Sequence, residues 1–179
     1  MCEVKLYKIE NSGPAVKFEV VEKPNDWSKE VKKSDSDESE TKKFRYNYWV
    51  DFQDYAFQNK QFSNSFRKRK PSKDHWIDFS LGSSICHLAV LLIPSRNELA
   101  VELNIPVDKD FFHRLYQNKQ VIETETDLSF NWLELPEKKS SRIIINKSVD
   151  FNNFEQRVSQ YDWLIDVMIK MKNEFKKYF

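Results

Sequence analysis

From Trp76 to Leu81 and again from Leu99 to Ile105, every second residue is apolar, a period that only an extended chain can gather on one face. In the first stretch Trp76, Asp78 and Ser80 fall on one side and Ile77, Phe79 and Leu81 on the other. Between them residues 85–93 are almost continuously apolar, which predicts a strand covered on both faces. Ser95, Arg96 and Asn97 supply turn chemistry, so the three strands read as a meander. Two further strands, Phe130–Leu135 and Arg142–Asn146, flank a turn at Pro136, Glu137, Lys138 and Lys139.

The segments around these strands follow a helical period. Phe44, Tyr48, Phe52 and Tyr55 lie on one helix face, and that helix is expected to run to about Phe66, before Pro71. Asp108 is a candidate N-cap for a second helix that carries Phe111, Phe112, Leu115 and Tyr116 and continues through Ile122. Asn152, with Glu155 three residues on, resembles a capping box. The helix it opens is expected to bury Phe154, Val158, Tyr161, Ile165 and Met168. The order α-β-β-β-α-β-β-α, with short turns between strands, predicts an α+β sandwich: a mainly antiparallel five-stranded sheet packed against helices.

Three zones divide the chain. Residues 1–31 read as an extended N-terminal appendage, in which Val4, Leu6 and Ile9 mark one strand and Val16, Phe18 and Val20 another, around a turn at Asn11 to Pro14. Residues 32–43 contain no apolar residue, and their four lysines balance four acidic groups, which predicts a charged flexible linker. The compact domain is expected over 44–179.

Composition removes several function classes. Two glycines leave no material for a Gly-rich phosphate loop. Cys2 and Cys86 are too few and too far apart for a disulfide framework or a thiolate metal site, and Cys86 reads as a small core residue. No apolar stretch approaches the ~20 residues of a membrane span, so no membrane partner is expected and the default compartment is the reduced cytoplasm. A net charge of +1 gives no global attraction for nucleic acid, so any such binding must come from a local patch.

Ordered short motifs carry a resemblance. His75-Trp-Ile-Asp-Phe-Ser-Leu-Gly82, Ala100-Val-Glu-Leu-Asn-Ile105, Ile122-Glu123, and Asn131-Trp-Leu-Glu-Leu-Pro-Glu-Lys-Lys-Ser-Ser-Arg-Ile143 resemble the prokaryotic domain of unknown function 4268. Asn153-Phe-Glu, Trp163-Leu and Phe175 are similar to that family's closing helix, so the resemblance covers roughly 44–179. The chain departs from the pattern at Ser83, where an Arg is expected after the glycine. Val4 to Trp27 is similar to the segment that joins such domains to a preceding nuclease-like module of the PD-(D/E)xK type. The resemblance therefore implies a chain that begins after that module's acidic residues and lysine, with the module in cis or in trans.

Candidate chemistry is sparse. His75, His87 and His113 are isolated, and a metal site needs His or carboxylate pairs at strand or helical spacing. Asp74, Asp78, Glu98 and Glu102 fail the nuclease pattern, because Asn104 stands where Glu-x-Lys requires its lysine. Ser83 and Ser84 lack a Gly-x-Ser-x-Gly setting and read as hairpin residues. No catalytic, cofactor or metal residue is assigned. One charge excess stands out: Arg67, Lys68, Arg69, Lys70 and Lys73, with Trp76 just beyond, and a weaker cluster at Lys138, Lys139 and Arg142. A cationic loop beside an aromatic ring can hold a phosphate backbone and stack a base. The expectation is a non-catalytic accessory domain that positions a nuclease-like module, with nucleic acid as candidate partner through these nine residues. The alternative is a pure interaction or homodimerisation domain using aromatic surface of the first or last helix.

Overall fold

Alternation produces the strands it predicts, and helical spacing produces helices whose bounds differ from those expected. The computed structural model describes the backbone of residues 2–7, 15–20 and 26–179, and side chains from Ser39 onward. The chain divides into two units, Met1–Thr41 and Lys42–Phe179. In the first, β1 (Cys2–Tyr7) pairs antiparallel with β2 (Ala15–Val20), Cys2 opposite Val20 and Tyr7 opposite Ala15. Ile9 and the expected turn at 11–14 lie outside the described residues. Helix α1 (Asp26–Ala56) starts well before Phe44 and takes in the stretch 32–43 expected as a linker. That stretch holds neither Gly nor Pro, so nothing in it terminates a helix.

The second unit contains the five-stranded sheet. Its strands are β3 (Trp76–Ser80), β4 (His87–Ile93), β5 (Glu98–Ile105), β6 (Asn131–Leu133) and β7 (Ser141–Ser148). Their order is β3-β4-β5-β7-β6 and every pairing is antiparallel. Asn97, in the left-handed region at φ 50°, reverses the chain between β4 and β5. The α+β sandwich holds.

One sheet face meets the helices. Phe79, Leu88, Val90, Leu92, Val101, Leu103 and Ile143 are buried there with Leu164, Val167, Met168 and Phe175 of α5 (Arg157–Phe175). Aromatic rings fill much of the space between the layers. Phe52 of α1 meets Phe62 edge-on at 6.0 Å, and Tyr48 meets Tyr161 at 5.4 Å. Such pairs contribute roughly 0.5–1.5 kcal/mol each beyond their burial. Tyr48 also donates its hydroxyl proton to Gln160 Oε1 at 3.1 Å, and burial pushes the phenol pKa far up.

Several expectations need correction. The helix from Phe44 to Phe66 is two helices, because Asn59 caps α2 (Lys60–Ser65) by accepting from the Phe62 N–H at 3.0 Å. Asp108 caps α3 (Lys109–Gln117) as expected, but the helix breaks before α4 (Lys119–Thr126). At the break Asn118 bonds its side-chain amide to the Arg114 carbonyl, an alternative partner that competes with the regular ladder. Asn153, not Asn152, caps a short 3-10 turn, Phe154–Gln156, by accepting from Glu155 N–H. Phe154 (79% exposed) and Val158 (50%) therefore miss the buried stripe, which begins at Tyr161. Finally, β4 is not equally covered on both faces. Leu88, Val90 and Leu92 are buried against the helices, whereas His87, Leu91 and Ile93 on the other face are only partly covered.

That other face is the polar one. Its cross-strand rows read Ser80–His87–Asn104–Arg142–Leu133 and Asp78–Ala89–Glu102–Ile144–Asn131, with Trp76–Leu91–Ala100–Asn146 next. Among the described residues no helix is long and apolar enough to cross a membrane.

Candidate anion-binding groove

The segment between α2 and β3 carries the basic run, and α1 pins it at two points. Gln53, 3% exposed, accepts the Arg69 backbone N–H on Oε1 at 2.7 Å, and the Trp49 indole N–H donates to the Asp74 carbonyl at 3.0 Å. Phe66 anchors the start, its ring 4.8 Å from Phe62 and 5.6 Å from Phe79. A pinned, extended chain sends alternate side chains to opposite sides. Arg67 and Arg69 line a groove of about 1210 Å³, whereas Lys68 turns the other way and pairs with Asp54 at 3.0 Å. Lys70 and Lys73 are exposed and do not line the groove.

The opposite wall is the β3–β4 turn. Ser80 Oγ accepts from Gly82 N–H and Ser83 Oγ accepts from Ile85 N–H, both at 3.1 Å. Gly82, at φ +91°, holds the conformation that an L side chain rarely adopts. Ser83 and Ser84 are thus hairpin residues, and they also face the groove.

The third wall comes from the far end of the chain. Lys172 of α5 donates to the Ser65 carbonyl and lies 4.8 Å from the centre of the Phe66 ring. Burial, and then the charge of Lys176, push its ammonium pKa down. Lys176 and Phe179 complete that wall. Lys177 is not part of it, since Glu174 and Glu125 occupy its charge.

The groove therefore gathers two guanidinium and two ammonium groups with serine hydroxyls. Among the described residues, no Asp or Glu side chain lines it. Such an arrangement suits phosphate oxygens, which accept forked guanidinium donors and compact ammonium charges together.

The other expected site residues are elsewhere. Trp76 is 41% exposed on the polar sheet face. Lys138 and Lys139 are exposed on the β6–β7 turn, at the opposite edge of the sheet, four strand spacings or roughly 19 Å from β3. Arg142 donates to the buried carboxylate of Glu102 at 3.4 Å, and Asn104 donates to the same group's other oxygen at 3.2 Å. The two basic clusters thus form no single surface. Lys172 and Lys176 were missed by sequence reasoning, although Lys170, Lys172, Lys176 and Lys177 form a basic tail that could have flagged them.

Two of the three histidines stand near acids. His87 Nε2 is 3.7 Å from Asp78 Oδ1 across the strands, and His113 Nε2 is 3.3 Å from Glu134 Oε1. Among the described residues no group of three or more His, Cys, Asp or Glu side chains is placed to hold a metal ion. Cys86 is buried, which pushes its thiol pKa up to about 12.

A family model described as a domain of unknown function, DUF4268, matches residues 44–179. The chain belongs to the DUF4268 family. No curated protein and no solved structure matches it. The match includes every wall of the groove, so the groove lies within the matched domain of this chain.

Proposed function

We propose that this DUF4268 domain is a non-catalytic accessory module that contacts nucleic acid through the groove and positions a nuclease-like module, supplied in cis or in trans. The carrying observation is the convergence of Arg67, Arg69, Lys172 and Lys176 on one concavity without an opposing carboxylate side chain among the described residues. The segment that carries Arg67 and Arg69 costs little to reorganise when a phosphate backbone enters, because Gln53, Trp49 and Phe66 already order its backbone.

Fluorescence anisotropy of a labelled oligonucleotide against salt tests this. Each neutralised phosphate on a single strand contributes roughly −0.7 to the slope of log K on log salt, so four give about −3. Substituting Arg67→Gln, Arg69→Gln and Lys176→Gln is expected to flatten that slope and weaken binding, with circular dichroism confirming the fold. Binding that ignores salt, or no binding by the intact chain, would sink the reading. Metal-dependent nuclease activity in the isolated chain would contradict the non-catalytic part of it.

One observation favours a second reading, a homodimer: Phe154 and Val158 stand exposed one turn apart where α5 begins. Light scattering at several concentrations separates the two, since a strict monomer removes the dimer.

A further inference from the structure

Trp76 is a large ring held in solvent by a rigid backbone. It begins β3 opposite Leu91, the preceding His75 carbonyl accepts the Leu92 N–H at 2.7 Å, and the Asp74 carbonyl accepts the Trp49 indole N–H at 3.0 Å. The His75 ring stands edge-on to it at 4.6 Å. An exposed aromatic on a pinned strand is a ready stacking platform, since it surrenders little freedom when a flat partner covers it.

The platform and the groove share a strand. Trp76, Asp78 and Ser80 point to the same side of β3, and Ser80 is itself part of the groove wall. From Trp76 to Ser80 the strand rises about 14 Å, within reach of a few extended nucleotides. The chemistry changes along that path. Arg67, Arg69, Lys172 and Lys176 offer only positive charge, whereas Asp78 is a carboxylate, with His87 3.7 Å away and Asn104 paired across from His87. A phosphate is repelled by Asp78 and drawn to the groove. A base edge finds donors and acceptors in Asp78, His87 and Asn104, and a base face finds Trp76.

Resting on the groove reading, we infer that the ligand is single-stranded polynucleotide, its backbone in the groove and its unstacked bases on the polar sheet face against Trp76. A duplex keeps its bases stacked inside and leaves this face unused. The shared chemistry is a phosphodiester chain with accessible bases, from DNA or RNA.

The experiment is anisotropy of the full chain with labelled oligothymidine, oligouridine and a mixed-sequence duplex, each about 12 units long. Single strands are expected to bind more tightly than the duplex, and oligothymidine against oligouridine shows which sugar is preferred. Trp76→Ala is expected to weaken single-strand binding about tenfold while leaving the salt slope unchanged, and Trp76→Phe to retain most of the affinity. Equal affinity for duplex and single strand, or a Trp76→Ala chain that binds single strands like the parent, overturns the inference. In that case a steep salt slope that Arg67 and Arg69 control still leaves the groove reading intact. Absence of binding to all three probes overturns both.

Discussion

The two basic clusters look alike in sequence and differ in what the fold leaves of their charge. In the α2–β3 segment the anchors are neutral: Gln53 and Trp49 bond backbone groups, and the guanidinium groups of Arg67 and Arg69 keep their charge for the groove. In the β6–β7 turn the anchor is itself a cation. Lys109 donates to the carbonyls of Glu134, Leu135 and Ser140, while Arg142 is committed to buried Glu102. Glu102 is 3% exposed, so its charge demands that partner. Arg67 and Arg69 face a concavity, whereas in the other cluster Arg142 is committed to Glu102 and Lys138 and Lys139 stand apart on an exposed turn. Counting lysines and arginines does not distinguish them; the groups that meet them do.

The sharpest way to break this contrast is to reverse charge in each cluster. Arg67→Glu with Arg69→Glu places two carboxylates opposite Lys172 and Lys176, and oligonucleotide affinity at low salt is expected to fall about 100-fold. Lys138→Glu with Lys139→Glu alters the same number of charges on the other edge and is expected to shift affinity by no more than about twofold. Equal losses from both pairs would mean that net charge, rather than the groove, governs binding.

A smaller effect is expected from Arg142→Ala, and it should fall on stability rather than on binding. Removing the guanidinium leaves Glu102 buried with Asn104 as its remaining side-chain partner. Stranding a buried charge costs about 3–5 kcal/mol when the pair is fully buried. Arg142 is partly exposed and its charge is screened, so about 2 kcal/mol is the expected loss in urea denaturation. Replacing Arg142 and Glu102 together, with Met and Gln, should recover part of that loss. An Arg142→Ala chain as stable as the parent would show that the ion pair is incidental.

How far the sequence speaks follows the same division between local and distant causes. Trp76 to Leu81 alternates because each side chain answers to its own face, and β3 forms there with Ile77 and Phe79 buried. Tyr48 and Phe52 sit on the predicted helix face and are fully buried for the same reason. The break at Asn118 depends on one side-chain bond that competes with helix, and α1 extends to Asp26 because no residue in 32–43 stops it. Neither leaves a mark in hydrophobic period. Phe154 and Val158 carry the right spacing but precede the packed part of α5. The groove itself was half legible. Arg67 and Arg69 form a visible run, but Lys172 reaches the Ser65 carbonyl across 107 residues of chain, a meeting that only the packing of α5 on α2 creates.

The subtlest expected effect concerns Lys172 alone, because its charge is the one the groove itself weakens. Burial, and then Lys176, lower its pKa below the usual lysine value. Below that lowered pKa the desolvated ammonium costs folding stability, and the cost disappears as pH rises through the folded pKa toward the unfolded one. A phosphate in the groove does the opposite: it favours the ammonium, so binding near the lowered pKa takes up a proton. Affinity is therefore expected to begin falling a few-fold as pH rises through the lowered pKa of Lys172. Lys172→Arg removes the titration, since guanidinium stays protonated throughout that range. Anisotropy titrations of the two chains from neutral to alkaline pH should diverge, with the parent losing affinity first. Parallel curves would mean that Lys172 keeps its proton regardless, or that its ammonium, already given to Ser65 and the Phe66 ring, never meets the phosphate.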